Sequence, residues 1–216
     1  IVFPELSITG YPPEDLLFRD GFINQVNEEI NSLCNLVPSA ITILFGAPSQ
    51  SNDSLFNSAF CIQSNRVIHV YNKQELPNYG VFDEKRYFAP GDESFVFECQ
   101  QTKVGVLICE DQWIDGPIDR LCQSSVDVVV SLNASPFQLN KQNERIDICK
   151  NYALKFDLSF IYVNMVGGQD EVVFDGNSFV ISSLGELTLQ LPAFKEMSLL
   201  HNSANYLPSV LSEEES

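Results

Sequence analysis

Three apolar runs constrain this chain most: "VGVLI" at 104–108, "VVVSL" at 128–132 and "SFIYV" at 159–163. A strand that is apolar at nearly every position is covered on both faces, so each run needs a layer on either side. Helical patterns separate them, near 115–125 and at about 141–157, where Ile146, Cys149, Ala153 and Phe156 form one stripe. Strands alternating with helices in this way predict α/β layers. Upstream, Phe22, Val26, Ile30, Leu33, Cys34 and Val37 predict an amphipathic helix over 20–37. "ITILFGAPS" reads as a buried strand, and "NSAFCIQ" and "RVIHVYN" as a hairpin across Ser64 and Asn65. "IVFPE", "FVFEC" and "NSFVIS" complete the strands. The hairpin argues against a purely parallel sheet and for a mixed two-sheet sandwich with helices outside. Residues 74–94 form a loop rich in aromatic and charged residues, and loops of that length inside a domain are usually functional.

At 216 residues and 44% hydrophobic, the chain can bury one substantial core. Its 12 basic and 29 acidic side chains give a net charge of −17, which repels phosphate backbones and anionic lipid. No nucleic-acid or membrane partner is therefore expected, and no apolar run has the length of a membrane span. Six cysteines without C-x-x-C or zinc-ligand spacing read as reduced cytoplasmic thiols, and no metal site is expected. The chain opens inside a strand pattern and ends in the acidic "SEEES", so a fragment with a tail is expected.

In layered α/β proteins, reactive groups collect beyond the carboxyl ends of strands. "IVFPE" ends at Glu5, "RVIHVYNK" at Lys73 and "KVGVLIC" at Cys109. These three can cleave an amide. Cys109 attacks the carbonyl carbon, Glu5 moves the thiol proton to the leaving nitrogen, and Lys73 stabilises the oxyanion. Cys109 is expected at an accessible edge, with Lys73 favouring its thiolate. Each residue alone has a plainer reading: a buried thiol, a strand-end charge, a solvated cation. His69 and His201 read as structural or solvated, so no Cys–His dyad competes.

"FPELSITGYPPEDLL", "YNKQELPNYGVFDEKRYFAPG", "GVLICEDQW" and "LNASPF" resemble successive blocks of the nitrilase, or carbon-nitrogen hydrolase, superfamily. "VNMVGGQDEVVFDGNSFV" narrows the resemblance to the glutaminase domain of glutamine-dependent NAD synthetases. The resemblance implies a nitrilase-like αββα sandwich, lacking its first strand and helix, over 1–190. Residues 191–216 would be a linker or tail toward a synthetase domain. It also implies a Glu5–Lys73–Cys109 triad, with Glu84 as an additional carboxylate orienting the lysine. Tyr11 and Tyr79 would shape the glutamine pocket. Ser135 and Lys141 would hold the α-amino and α-carboxylate ends, with Glu110 assisting. Met165 stands where the family pattern carries glutamine and reads as a packing change, and the glycines of "GGQDE" read as permitting tight packing.

The function so implied is glutamine hydrolysis through a cysteine thioester. The ammonia would serve ATP-dependent amidation of nicotinic acid adenine dinucleotide. No cofactor is expected in this portion; ATP and Mg belong to the synthetase domain of the same chain. A homo-oligomer is implied by the superfamily. Two alternatives stay open: a free-standing amidase of the same superfamily acting on another small amide, and a non-catalytic interaction module on the same fold.

Overall fold

The computed structural model describes residues 1–202 and the backbone of residues 209–210. Strands β1 (Ile43–Ser51), β2 (Ser54–Gln63) and β3 (Arg66–Asn72) form an antiparallel meander, preceded by helix α1 (Phe22–Leu36). After the long loop come β4 (Phe95–Cys99), β5 (Thr102–Ile108), α2 (Asp115–Cys122), β6 (Val128–Asn133), α3 (Lys141–Phe156) and β7 (Ser159–Asn164). The chain continues through β8 (Val166–Gln169), β9 (Val172–Asp175), β10 (Phe179–Ile181) and β11 (Leu187–Gln190). Last come β12 (Leu199–Leu200) and β13 (Ser209–Val210), paired with each other. The second sheet runs β11-β10-β7-β6-β5-β4, with β5, β6 and β7 parallel and the outer strands antiparallel.

Side-chain alternation along each strand builds the layers. In β2, Ala59 and Cys61 join the core between the sheets, while Phe60 and Ile62 pack with Val26, Ile30 and Cys34 of α1. In β5, Val106 and Ile108 meet that same central core from the other side. Leu107 turns outward with Val129 and Phe160 to meet Ile118, Leu121, Ile146 and Cys149 of α2 and α3. Each fully buried aliphatic or aromatic side chain contributes about 1.5–3 kcal/mol. The order of layers is helix, sheet, sheet, helices, the αββα sandwich. Among the described residues no helix is long and apolar enough to cross a membrane.

The sequence reading differs from the fold in three places. "IVFPE" forms only a single parallel bridge, Val2 to Leu44, because Pro4 has no N–H to donate and the chain turns at Leu6, φ +46°. The meander contains a second hairpin, since β2 begins at Ser54 and pairs along β1 from Ser51 to Ile43. "MVGGQDEVVFD" carries the β8–β9 hairpin, which stands apart from both sheets. Past residue 190 the chain remains tied to the body through Phe194 N–H on the Asp175 carbonyl and an edge contact between Phe137 and Phe194. The acidic 212–216 stretch lies outside the described residues.

Gly46 shows how the sequence positions the first segment. The Gly46 N–H donates to the Pro4 carbonyl, and Glu5 and Leu6 pass directly over its Cα. A Cβ there would lie 2.1 Å from the Leu6 nitrogen and 2.7 Å from the Glu5 Cα. Gly46→Ala is expected to destabilise the fold by about 1–3 kcal/mol through overpacking against backbone. It should lower Tm by a few degrees and displace Glu5; thermal unfolding and activity measured together check this.

Candidate active site

The structure brings Glu5, Lys73, Glu84 and Cys109 together: Lys73 and Cys109 directly follow β3 and β5, Glu5 lies in the opening segment over β1, and Glu84 comes from the long loop. The ammonium of Lys73 is buried between two carboxylates. Its Nζ donates to Glu5 Oε1 and to Glu84 Oε1, both at 2.7 Å. Glu5 accepts two further bonds, from Asn57 Nδ2 at 2.7 Å and from the Ala134 N–H at 2.8 Å. Glu84 sits in the short 3-10 turn Glu84–Arg86 of the long loop and accepts from the Tyr11 hydroxyl at 2.8 Å. Asn57 Nδ2 also reaches Glu84 Oε2 at 3.4 Å, so one amide spans both carboxylates.

Cys109 follows β5 and opens a 3-10 turn, Cys109–Gln112, with φ +42°. A non-glycine residue in that left-handed region holds strain of order 1–3 kcal/mol and persists only where its surroundings impose it. Contrary to the sequence expectation of an accessible edge, Cys109 is buried, 5% exposed. Lys73 favours the Cys109 thiolate, as the sequence predicts, but it does not act alone. Burial and then Glu5 push the Cys109 thiol well above its ordinary pKa, and the opposing effect of Lys73 is too small.

The other charges follow from the same burial. Desolvation opposes the Lys73 ammonium, but Glu5 and Glu84 outweigh it and hold its pKa well above the ordinary lysine value. Glu84 is pushed up to about 7, with burial leading and Lys73 opposing. Tyr11 stays protonated, held high by burial and by Glu84, and so remains a donor.

The remaining sequence candidates fall around this centre. Tyr79, in the loop, donates to the Glu110 carboxylate at 3.0 Å. Lys141 pairs with Glu144 at 2.9 Å and lies 4.0 Å over the Trp113 ring. Ser135 is buried and its hydroxyl accepts from Arg145 Nε at 3.2 Å. Met165 packs with the cluster containing Leu6, Tyr11, Leu76 and Phe174, in line with a packing role. The "GGQDE" glycines do not permit crowding, since no atom comes within 4 Å of a Cβ at Gly167; its φ of +135° is what requires glycine. The close approach is at Gly10, where Gln169 of the hairpin lies against the backbone and donates to the Pro12 carbonyl at 2.7 Å. That contact ties the hairpin to the loop carrying Tyr11.

Three polar residues escaped the sequence reading. Asn57 begins the run "NSAFCIQ", and only the fold shows its amide between two acids. Asp111 stands two residues after the thiol, but its partners come from a distant stretch of chain. Arg145 lies on the same stripe of α3 as Cys149 and Tyr152, and a cation on a buried stripe was the available signal. It is fully buried, paired to Asp175 at 2.9 Å, and donates to the carbonyls of Ser135 and Pro136.

The chain belongs to the carbon-nitrogen hydrolase family, whose model matches residues 1–202. Among curated proteins it is 42% identical over 197 residues to the glutamine-dependent NAD(+) synthetase of Acinetobacter baylyi; the alignment covers 91% of this chain. The chain spans only 36% of the length of that relative. The solved glutamine-dependent NAD+ synthetase of Acinetobacter baumannii, in complex with adenosine diphosphate, superposes with a TM-score of 0.89 at 41% identity. That match covers 100% of this chain and 41% of the other. An amidase of Nesterenkonia from the nitrilase superfamily shares the fold, with a TM-score of 0.77 at 19% identity over 88% of this chain and 72% of its own.

Glu84 provides a pH test of the site. Its folded pKa lies above the ordinary carboxylate value, so the bound proton favours the folded state. That contribution is complete below the ordinary value of 4.5 and is lost as pH rises through about 7. Glu84→Gln, which cannot ionise, is expected to lose less stability than the unmodified protein between pH 5 and pH 8. Denaturant midpoints at the two pH values check this, and equal losses would contradict the assignment.

Proposed function

We propose that this chain is the glutaminase portion of a glutamine-dependent NAD synthetase. The observation carrying the proposal is the buried Glu5–Lys73–Glu84 network adjoining the strained turn of Cys109. Relatives at this level of identity support glutamine as the amide donor. The Cys109 thiol attacks the side-chain amide carbon while its proton passes to Glu5. The new C–S bond forms as the carbonyl π pair moves to oxygen, and Lys73 stabilises that oxyanion. Collapse of the intermediate breaks the C–N bond as Glu5 returns the proton to nitrogen, and ammonia leaves. Water then attacks the thioester, Glu5 takes its proton, and glutamate departs as the thiol is restored.

In this reading the Glu84 carboxyl and Tyr11 hold Lys73 in place rather than exchanging protons with substrate. Glu110 with Tyr79 on one side, and Ser135 with Lys141 on the other, supply acceptors and donors for the charged end of glutamine. The whole protein would amidate nicotinic acid adenine dinucleotide in its synthetase portion, with ATP and Mg acting there and no cofactor needed for the hydrolysis. Subunit pairing and a cytoplasmic setting belong to the same proposal.

In the full-length chain, Cys109→Ala is expected to abolish glutamine-dependent NAD formation while leaving synthesis from added ammonium largely intact. Parallel steady-state assays with the two nitrogen donors check this. Undiminished use of glutamine would overturn the proposal, and so would a preference for simple aliphatic amides over glutamine.

A further inference from the structure

We infer that Asp111 is a positioning residue that sets the placement of Cys109 relative to Lys73. Its carboxylate is fully buried and clamps two separate stretches of chain. Oδ1 accepts the backbone N–H groups of Gln74 at 2.9 Å and Glu75 at 2.8 Å, immediately after Lys73. Oδ2 accepts the N–H of Ile108, immediately before Cys109, at 3.0 Å, and the Tyr71 hydroxyl at 2.8 Å. The inference rests on the reading of Cys109 as nucleophile and Lys73 as oxyanion donor.

Only a carboxylate suits this position. Each oxygen faces two donors, so an amide in either orientation turns an NH2 group toward two N–H or O–H groups. The donors left unmatched are buried, which penalises the native arrangement. The clamp also explains how the left-handed conformation of Cys109 is maintained. Residues on both sides of Cys109, Ile108 and Asp111, are joined by the 3.0 Å bond, which closes the turn around it. A second tier braces the clamp from outside. Arg120 of α2 donates to Gln74 Oε1, and Gln74 Nε2 donates to the Tyr71 hydroxyl at 3.0 Å and to the Glu93 carbonyl at 3.2 Å. Tyr71 is fixed in turn by its ring, which lies in the core between the sheets.

The test uses the full-length chain with Asp111→Asn and Tyr71→Phe. Asp111→Asn should lower kcat for glutamine hydrolysis by about 100-fold, with KM within about twofold, because misplacement of a reacting group by about 1 Å costs that much. Tyr71→Phe keeps the ring and removes one donor, so its kcat should fall less, on the order of tenfold. Labelling of Cys109 by acrylamide, read by peptide mass mapping, should slow in parallel. Labelling of Cys99 and Cys122, both partly exposed, should stay unchanged. If the unmodified protein fails to hydrolyse glutamine, the proposed function falls, and the Cys109 labelling rates alone decide on Asp111. A folded Asp111→Asn protein with unchanged kcat and Cys109 labelling would overturn the inference. So would Asp111→Asn loosening all three thiols together while Tyr71→Phe behaves as the unmodified protein. Should Asp111→Asn fail to fold, Tyr71→Phe decides: slowed Cys109 labelling and kcat support the role, and unchanged values overturn it.

Discussion

A lysine ammonium buried between two carboxylates is the interaction on which this structure turns. Removing an ammonium from water carries an effective penalty of several kcal/mol, and one carboxylate partner rarely offsets it with excellent geometry alone. Lys73 has two, each at 2.7 Å, delivered by parts of the chain far apart in sequence. Glu5 comes from the segment lying over β1, Lys73 from the end of β3, and Glu84 from the long loop. None can satisfy the others until the first sheet, the loop and the opening segment are all in place. The site therefore forms only with the tertiary structure, and loss of either acid would strand a buried charge.

The same desolvation sets the proton inventory. Burial lifts the thiol of Cys109 and the carboxyl of Glu84 while the paired acids hold Lys73 charged. A thiolate resting beside Glu5 would meet a like charge without solvent. In the proposed reaction the thiol becomes a nucleophile as its proton moves to Glu5. Coupling attack to proton transfer in this way suits an amide, since the captured proton is needed again by the leaving nitrogen. In that reaction the positive charge of Lys73 is directed at the oxyanion, where charge develops.

Much of this was legible in the sequence because it rests on local patterns. Continuous apolar runs with intervening helical stripes gave the layers, and polar residues at the ends of three runs marked Glu5, Lys73 and Cys109. What escaped depended on contacts between distant segments. Nothing near Asn57 announces that Glu5 and Glu84 will both lie within reach of its amide. Asp111 follows the thiol by two residues, yet its partners at 74 and 75 come from another part of the chain. The opening segment failed as a strand for a local reason that was readable: a proline in the run and a turn at Leu6. The burial of Cys109 was missed because sequence shows which charges are near but not how much water is removed around them.

Arg145 explains how the far side of Glu5, the proposed general base, is secured. A carboxylate offers about four lone-pair positions, and Glu5 uses three, for Lys73, Asn57 and the Ala134 N–H. Ala134 lies just beyond β6, where no ladder holds the backbone. Arg145 supplies that hold by binding the Ser135 and Pro136 carbonyls and the Ser135 hydroxyl, its charge balanced by Asp175. Asn164 adds a second brace, accepting the Ser135 N–H at 2.9 Å and donating to the Ser135 carbonyl at 3.2 Å. One buried ion pair thus stiffens the backbone that anchors Glu5, and another fixes Glu5 from the opposite side. With three acceptor directions committed, the carboxylate is held against rotation. The one that remains is the acceptor capacity that the proposed reaction requires for the thiol proton.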